Sequence, residues 1–398
     1  MTLFSTVELA PRDPILGITE QFASDPNPCK VNLGVGMYYD ENGKVPLLKC
    51  VAAAEQAMAE AHAARGYLPI DGIAEYDQAA QRLAFGDSSR AVTEQRIATV
   101  QGLGGTGALK VAADFLKRLH PQARVLISDP SWENHRALFT QAGFEVATYP
   151  YYDPASHGVR FDAMRAALNA APAGTVVVLH ACCHNPTGCD LTAEQWREAV
   201  ASAHERGWIP LLDMAYQGFG RGLAEDAAAA RLFVAAGLDC LVATSFSKNF
   251  SLYGERVGAL SVVCQQRDEA QRVLSQLKVL IRTNYSNPPT HGAKAVAAVL
   301  ADPALCRLWH EELATMRDRI RSMREQLITK LREAGVRQDM SFIASQQGMF
   351  SYSGLSADQM RRLRSEFSVY GVDSGRICVA ALNERNLDHV ARSIASVM

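Results

Sequence analysis

Lys248 stands in Ser245-Phe246-Ser247-Lys248-Asn249-Phe250, directly after an apolar run. A lysine set among phenylalanines and small hydroxyls is not a typical solvated one. Burial disfavours the ammonium and lowers its pKa, which leaves a nucleophilic amine. The alternative is a plain surface lysine in a loop, because lysines are rarely buried. Arg256 follows in Tyr253-Gly254-Glu255-Arg256-Val257-Gly258. It suits a phosphate, or else a pair with Glu255 or another acid. Leu211-Leu212-Asp213-Met214 puts an acid at the carboxyl end of an apolar strand, the edge where open parallel sheets bind ligands. Asp213 there can cap a helix, hold a ribose or a metal, or keep a heteroaromatic nitrogen protonated.

Gly102-Leu103-Gly104-Gly105-Thr106-Gly107 fits G-x-G-x-x-G between a strand and a helix. Three readings stay open on this motif alone. With Asp129 about twenty residues on, it has the spacing of a dinucleotide fingerprint. Its backbone N–H groups and helix N-terminus equally suit a monophosphate. It is also consistent with a plain turn. No Lys-Ser or Lys-Thr follows Gly107, so it is not a Walker A loop. A phosphate cradle, an amine at Lys248 and an acid at Asp213 together meet the needs of pyridoxal phosphate. The lysine binds the aldehyde, and the acid maintains the pyridinium that drains carbanion charge. A nicotinamide enzyme would use the glycine turn but leave Lys248 and Arg256 unexplained.

The elements that must position these residues alternate. Strands are expected at Ile97–Gln101, Arg124–Ser128, Glu145–Tyr149, Thr175–Ala181, Ile209–Asp213, Leu241–Ser245 and Ala259–Val263. Helices are expected between them at Ala108–Leu119, Trp132–Ala142 and Ala193–Glu205. That alternation argues for an α/β fold with a mostly parallel sheet covered by helices on both faces. Farther on, Leu308, Leu313, Met316, Ile320, Met323, Leu327 and Leu331 recur mostly every three or four positions. They predict one long amphipathic helix over Leu305–Arg332, stopped near Gly335. Strand-like pieces follow at Phe350–Tyr352 and Ile377–Ala380, with a last helix at Leu387–Val397. The expected division is a large domain over 39–282 and a smaller α+β domain from 1–38 and 283–398. Asn287-Pro288-Pro289 punctuates the boundary.

The chain has 398 residues, 48% hydrophobic and 21% charged, with a net charge of −2. These values exclude disorder, a collagen-like fibre and a small disulfide scaffold. The near-neutral balance gives no reason to expect nucleic acid or an anionic membrane. No signal peptide is recognisable, and the longest apolar stretch, Val176 to Cys183, is too short to span a bilayer. The nine cysteines form no Cys-x-x-Cys pair and read as reduced thiols of a cytoplasmic protein. His180 and His184 flank Cys182 and Cys183. Adjacent strand residues point to opposite faces, so no metal site is expected there.

Three motifs carry a family resemblance: His184-Asn185-Pro186-Thr187-Gly188, Ala215-Tyr216-Gln217-Gly218-Phe219 and Ser245-Phe246-Ser247-Lys248-Asn249. The chain resembles class I aminotransferases of fold type I, in particular the bacterial aspartate and aromatic-amino-acid group. The likeness runs from Asp13-Pro14-Ile15-Leu16 to Gly375-Arg376. It implies that Lys248 is the Schiff-base lysine and then the proton-moving base. It implies Asp213 at the pyridinium nitrogen with His135 behind it, Asn185 and Tyr216 at the ring oxygen, and Trp132 on the ring face. Gly105, Thr106, Ser245 and Arg256 would hold the phosphate, and Tyr67 would reach the phosphate of the neighbouring subunit. Arg376 would clamp the substrate α-carboxylate, Gly36 would allow close backbone approach, and Arg282 of the other subunit would take a side-chain carboxylate. Gly104 replaces a serine that many relatives carry, which implies one hydroxyl contact fewer.

The resemblance implies a homodimer with shared active sites. The expected reaction moves the amino group of an L-amino acid, aromatic or aspartate, to 2-oxoglutarate by a ping-pong route. The alternatives are a strict aspartate aminotransferase, a silent relative that only binds, and, outside the family, an NAD-dependent dehydrogenase.

Overall fold

The computed structural model describes residues 2–10 and 16–398. The Asp13-Pro14-Ile15 part of the opening motif lies outside the described residues. Seven strands form one sheet in the order Ile97–Leu103, Val257–Val263, Cys240–Ser245, Ile209–Met214, Val176–His180, Arg124–Asp129, Glu145–Pro150. Only Val257–Val263 runs antiparallel to its neighbours. Three central strands, Val176–His180, Cys240–Ser245 and Val257–Val263, are buried at every residue. Continuous apolar runs of this kind are what a sheet covered on both faces requires.

Two apolar layers do the covering. On one face, helix Gly104–Leu119 packs with Glu133–Gln141 and Arg267–Asn284 through Leu109, Leu116, Phe139 and Leu277. The other face carries Ala74–Phe85, Ala193–Arg206 and Ala228–Ala235 through Tyr76, Trp196 and Phe233. The long helix spans Pro303–Glu333 and buries Trp309, Leu313, Met316, Ile320, Met323, Leu327 and Leu331 along one side. Its start is fixed by Asp302, whose carboxylate accepts the N–H groups of Ala304 at 2.7 Å and Leu305 at 3.0 Å. Pro303 fills the first position, where a missing N–H costs nothing.

Chain ends meet here. Val31–Asn32 pairs in parallel with Val369–Tyr370, and Phe350–Tyr352 pairs with Arg376–Cys378. These pairings hang the segment around Gly36 beside Arg376. No helix among the described residues is long and apolar enough to cross a membrane.

Three expectations need correcting. The glycine-rich turn is divided between strand and helix: Gly102 and Leu103 end the strand, and the helix starts at Gly104, not Ala108, with Gly104 at φ 67°. The expected strand Ile377–Ala380 is a strand over Arg376–Cys378 followed by a 3-10 turn at Val379–Ala381. The alternation argument at Cys182 and Cys183 also fails. The strand ends at His180, and Cys183 has a left-handed φ of 51°, so both thiols and the Asp226 carboxylate come within 4.8 Å of one another. The two histidines are elsewhere: His180 is beside His135 and Asp213, and His184 is bonded to Ser128 and Thr187.

Candidate active site

The carboxyl ends of strands Ile97–Leu103, Val176–His180, Ile209–Met214 and Cys240–Ser245 open on a cavity of about 470 Å3. Lys248, Asp213, Tyr216, Asn185, Trp132, Gly105, Thr106, Ser245, Arg256, Gly36 and Arg376 all line it. Tyr67 and Arg282 do not. Tyr67 is 97% exposed, and Arg282 lies on the exposed side of its helix, bonded to the Ser286 hydroxyl. Asp129, the acid a dinucleotide fingerprint requires, is exposed and outside the cavity.

Lys248 follows strand Cys240–Ser245, and its Nζ lies 4.9 Å from the Tyr216 ring centre. Burial lowers its pKa to about 8; the negative charge of Asp213 works in the opposite direction, and Arg256 adds to the lowering. A larger share of the amine is therefore unprotonated near neutral pH than for a solvated lysine. Asp213 is buried near the end of strand Ile209–Met214. Burial alone would raise its pKa, but the hydrogen bond from His135 and the charges of the surrounding basic groups, Lys248 among them, together outweigh it, so the carboxyl stays below its ordinary value. His135 Nε2 is 2.9 Å from Asp213 Oδ2, and its Nδ1 is 2.9 Å from Ser131 Oγ. An ionised acid is thus held rigidly at a sheet edge where a pyridine nitrogen can sit.

Helix Gly104–Leu119 aims its first turn at the same cavity through Gly105 and Thr106. Its opening N–H groups lack helical partners and carry the positive end of the dipole. Gly104 N donates to Arg256 O at 2.8 Å, which ties the turn to the Arg256 loop. A Cβ on Gly104 would stand 2.5 Å from Arg256 Nη2. A glycine at position 104 therefore makes room for this guanidinium. A Cβ on Gly258 would meet the Gly104 carbonyl carbon at 2.4 Å, so strand Val257–Val263 also needs its glycine for the turn to fit.

Arg376 is 1% exposed and gives Nη1 to Asn185 Oδ1 at 3.1 Å and Nη2 to Gly34 O at 2.8 Å. Its guanidinium lies 4.4 Å from the Phe350 ring centre, with Glu133 at 3.7 Å. Arg376 Nε and both ring nitrogens of His180 are buried without a partner among the described residues. Both side chains line the cavity. Buried polar groups left this way call for a ligand. His180 is neutral, because burial and the adjacent His135 lower its pKa to about 3.

An amine, an acid, a helix N-terminus with a nearby arginine and a second arginine across the cavity fit pyridoxal phosphate and an amino-acid carboxylate. Sequence reasoning missed Tyr253, Phe350 and Met37 as lining residues. Tyr253 lay within a quoted motif, and its OH accepts the N–H of Tyr38 at 2.9 Å. Phe350 gave only a strand signal, and nothing local marked Met37.

Comparison with known proteins agrees with this geometry. The family model for aminotransferase class I and II matches residues 28–394. The aspartate aminotransferase of Pseudomonas aeruginosa is 59% identical over 398 residues, covering 100% of both chains. The aromatic-amino-acid aminotransferase of Escherichia coli is 52% identical over 397 residues, again covering 100% of both. The crystal structure of the aromatic-amino-acid aminotransferase from Burkholderia pseudomallei, covalently bound to pyridoxal phosphate, is 62% identical with a TM-score of 0.98 and covers 100% of both. The chain belongs to the class I and II aminotransferases, pyridoxal phosphate-dependent enzymes of fold type I.

Proposed function

We propose that this aminotransferase takes both aromatic L-amino acids and L-aspartate as donors and 2-oxoglutarate as acceptor, in a cytoplasmic homodimer with shared active sites. The observation that carries the reading is one cavity holding the Lys248 amine, the ionised Asp213 and the buried, partly unpartnered Arg376. Relatives named for aspartate and for aromatic amino acids, each matched over the whole chain, support dual use.

Lys248 would hold the cofactor covalently, with Gly105, Thr106, Ser245 and Arg256 on the phosphate, Asp213 at the ring nitrogen, Asn185 and Tyr216 at the ring oxygen, and Trp132 on the ring face. Once bound, the cofactor supplies an electron sink for charge that develops at the substrate Cα. This chain's residues do the rest. Arg376 takes the α-carboxylate in a bidentate pair. Gly36 leaves room beside it; a Cβ there would stand 2.5 Å from Phe350 Cζ. Lys248 Nζ would be the base that moves the proton between the substrate Cα and the cofactor. Asp213, held by His135, which Ser131 fixes in turn, would keep the ring nitrogen protonated. One water would supply the carbonyl oxygen of the departing 2-oxo acid as its C–N bond breaks and the nitrogen stays behind, and 2-oxoglutarate would take up that nitrogen by the reverse course, returning the water.

Two features support a dimer. Leu3, Phe4, Val7, Leu9 and Tyr67 are strongly exposed, and a stable chain covers such apolar groups. Tyr67 and Arg282, the residues assigned to the neighbour's site, lie outside their own chain's cavity. The division into 39–282 and 1–38 with 283–398 is supported by the pairing of Val31–Asn32 with Val369–Tyr370.

The deciding experiment is the near-visible absorption spectrum of the purified protein, before and after L-aspartate and, separately, L-tyrosine. The cofactor band is expected to disappear with both donors. Loss with one donor alone would overturn dual use and keep the reaction. Lys248→Ala is expected to abolish turnover; near-normal transamination by that variant would remove Lys248 from its role.

A further inference from the structure

Behind the active site, helix Pro303–Glu333 carries Arg317, Arg321 and Arg324 at positions i, i+4 and i+7, on one side of the helix. With Arg221, which follows strand Ile209–Met214 and its loop, they line a second cavity of about 210 Å3. Ser345 and Gln347 close it, and no acidic side chain lines it.

Arg324 is the telling residue. It is 2% exposed, yet its terminal nitrogens meet only backbone carbonyls, Ile343 at 3.1 Å, Gly348 at 2.8 Å and Phe350. No carboxylate pairs with it among the described residues. A buried charge is normally paired. Arg221 and Arg321 also have no ion pair among the described residues, and Arg317 reaches only Asp318 at 3.2 Å, outside the cavity. Of the acids on the far side of Arg221, Glu225 is exposed and Asp226 and Asp190 are held by backbone N–H groups. Asp226 accepts the N–H groups of Gly218, Gly220 and Arg221, and Asp190 accepts those of Cys183 and His184. Among the described residues the cavity therefore gathers four guanidiniums with no acid in its own lining, and Asp190, whose charge acts on Arg324 and Arg221, lies outside it.

We propose that this cavity binds a small phosphoryl dianion, either free phosphate or the phosphate group of a metabolite. Guanidinium forks match phosphate oxygens and bind them more strongly than neutral donors do. A carboxylate presents two oxygens in one plane, whereas the arginines approach from two walls of the cavity, which a tetrahedral anion satisfies better. The bound group would steady the segment leading to Phe350, whose carbonyl accepts from Arg324 and whose ring borders the active-site cavity.

The test uses the holoenzyme, so that the cofactor's own phosphate cradle is filled. Its thermal midpoint is followed against inorganic phosphate and against glycerol 2-phosphate, with sodium chloride at matched ionic strength. A ligand that binds only the folded state raises the midpoint in a saturable way. The R317Q/R321Q double variant is expected to raise the half-saturating concentration at least about tenfold, with turnover unchanged. Arg321 is exposed, so R321Q alone serves as a second variant and should weaken the effect several-fold. A response to both anions assigns the site to a phosphate group on a metabolite, and a response to phosphate alone assigns it to the free ion. The proposal is overturned by no rise, by a rise that chloride reproduces, or by a rise the variants leave intact.

Discussion

The role proposed for the Lys248 amine rests on what surrounds it. Burial lowers its pKa to about 8, and Asp213 limits the fall. Below that pH the ammonium carries no lone pair; above it the free amine can attack an aldehyde. The rate at which cofactor-free enzyme captures pyridoxal phosphate should therefore climb with pH and level off above about 8. Asp213→Asn removes the charge that favours the ammonium, so its plateau should begin at a lower pH. Stopped-flow absorption measures both. A wild-type rate that keeps climbing to pH 10 would mean an ordinary, solvated lysine. These residues were legible in the sequence because each sits in a short motif at a strand end. Tyr253, Phe350 and His180 took their places through contacts between distant parts of the chain, such as the Tyr253 hydroxyl on the Tyr38 N–H. No local pattern announces such a contact.

At the scale of elements, the phosphate end of the site depends on how closely strand Val257–Val263 approaches the first turn of helix Gly104–Leu119. Gly258→Ala puts a methyl 2.4 Å from the Gly104 carbonyl carbon and 2.8 Å from Gly105 N. Both are backbone atoms, so the turn must move rather than a flexible side chain. Equilibrium binding of pyridoxal phosphate should weaken at least about tenfold, with a stability loss of about 1–3 kcal/mol from overpacking. Unchanged affinity by titration would mean that the turn has slack. Most of the sheet was readable in advance because β-branched runs such as Thr175–Ala181 are bounded by turn residues and separated by helical periods. What the pattern did not contain was pairing. The reversed direction of Val257–Val263 and the two-residue strand Val31–Asn32 are set by distant partners, Ile97–Leu103 and Val369–Tyr370. The glycine turn misled as well. Glycines read as a break before Ala108, yet packing under Arg256 winds them into the helix.

For the whole molecule the question is whether one chain makes a complete site. Arg282 stands on the exposed side of helix Arg267–Asn284, outside its own cavity. If it serves a neighbour, Arg282→Leu should slow the half-reaction with aspartate far more than the half-reaction with tyrosine, since of the two donors only aspartate has a side-chain carboxylate to pair. Lys248→Ala should silence the chain that carries it. In a mixed dimer of the two variants, the subunit that keeps Lys248 would receive Arg282 from the Lys248→Ala chain, giving one intact site. Random reassociation of equal amounts makes half the dimers mixed, so aspartate turnover should recover to about a quarter of wild type. Were Arg282 to act within its own chain, no combination would contain both residues at one site, and mixing would restore nothing. The same experiment tests the dimer, because recovery requires subunits that associate and exchange. Recovery of aspartate turnover after denaturation and joint refolding, against separately refolded controls, distinguishes the two arrangements.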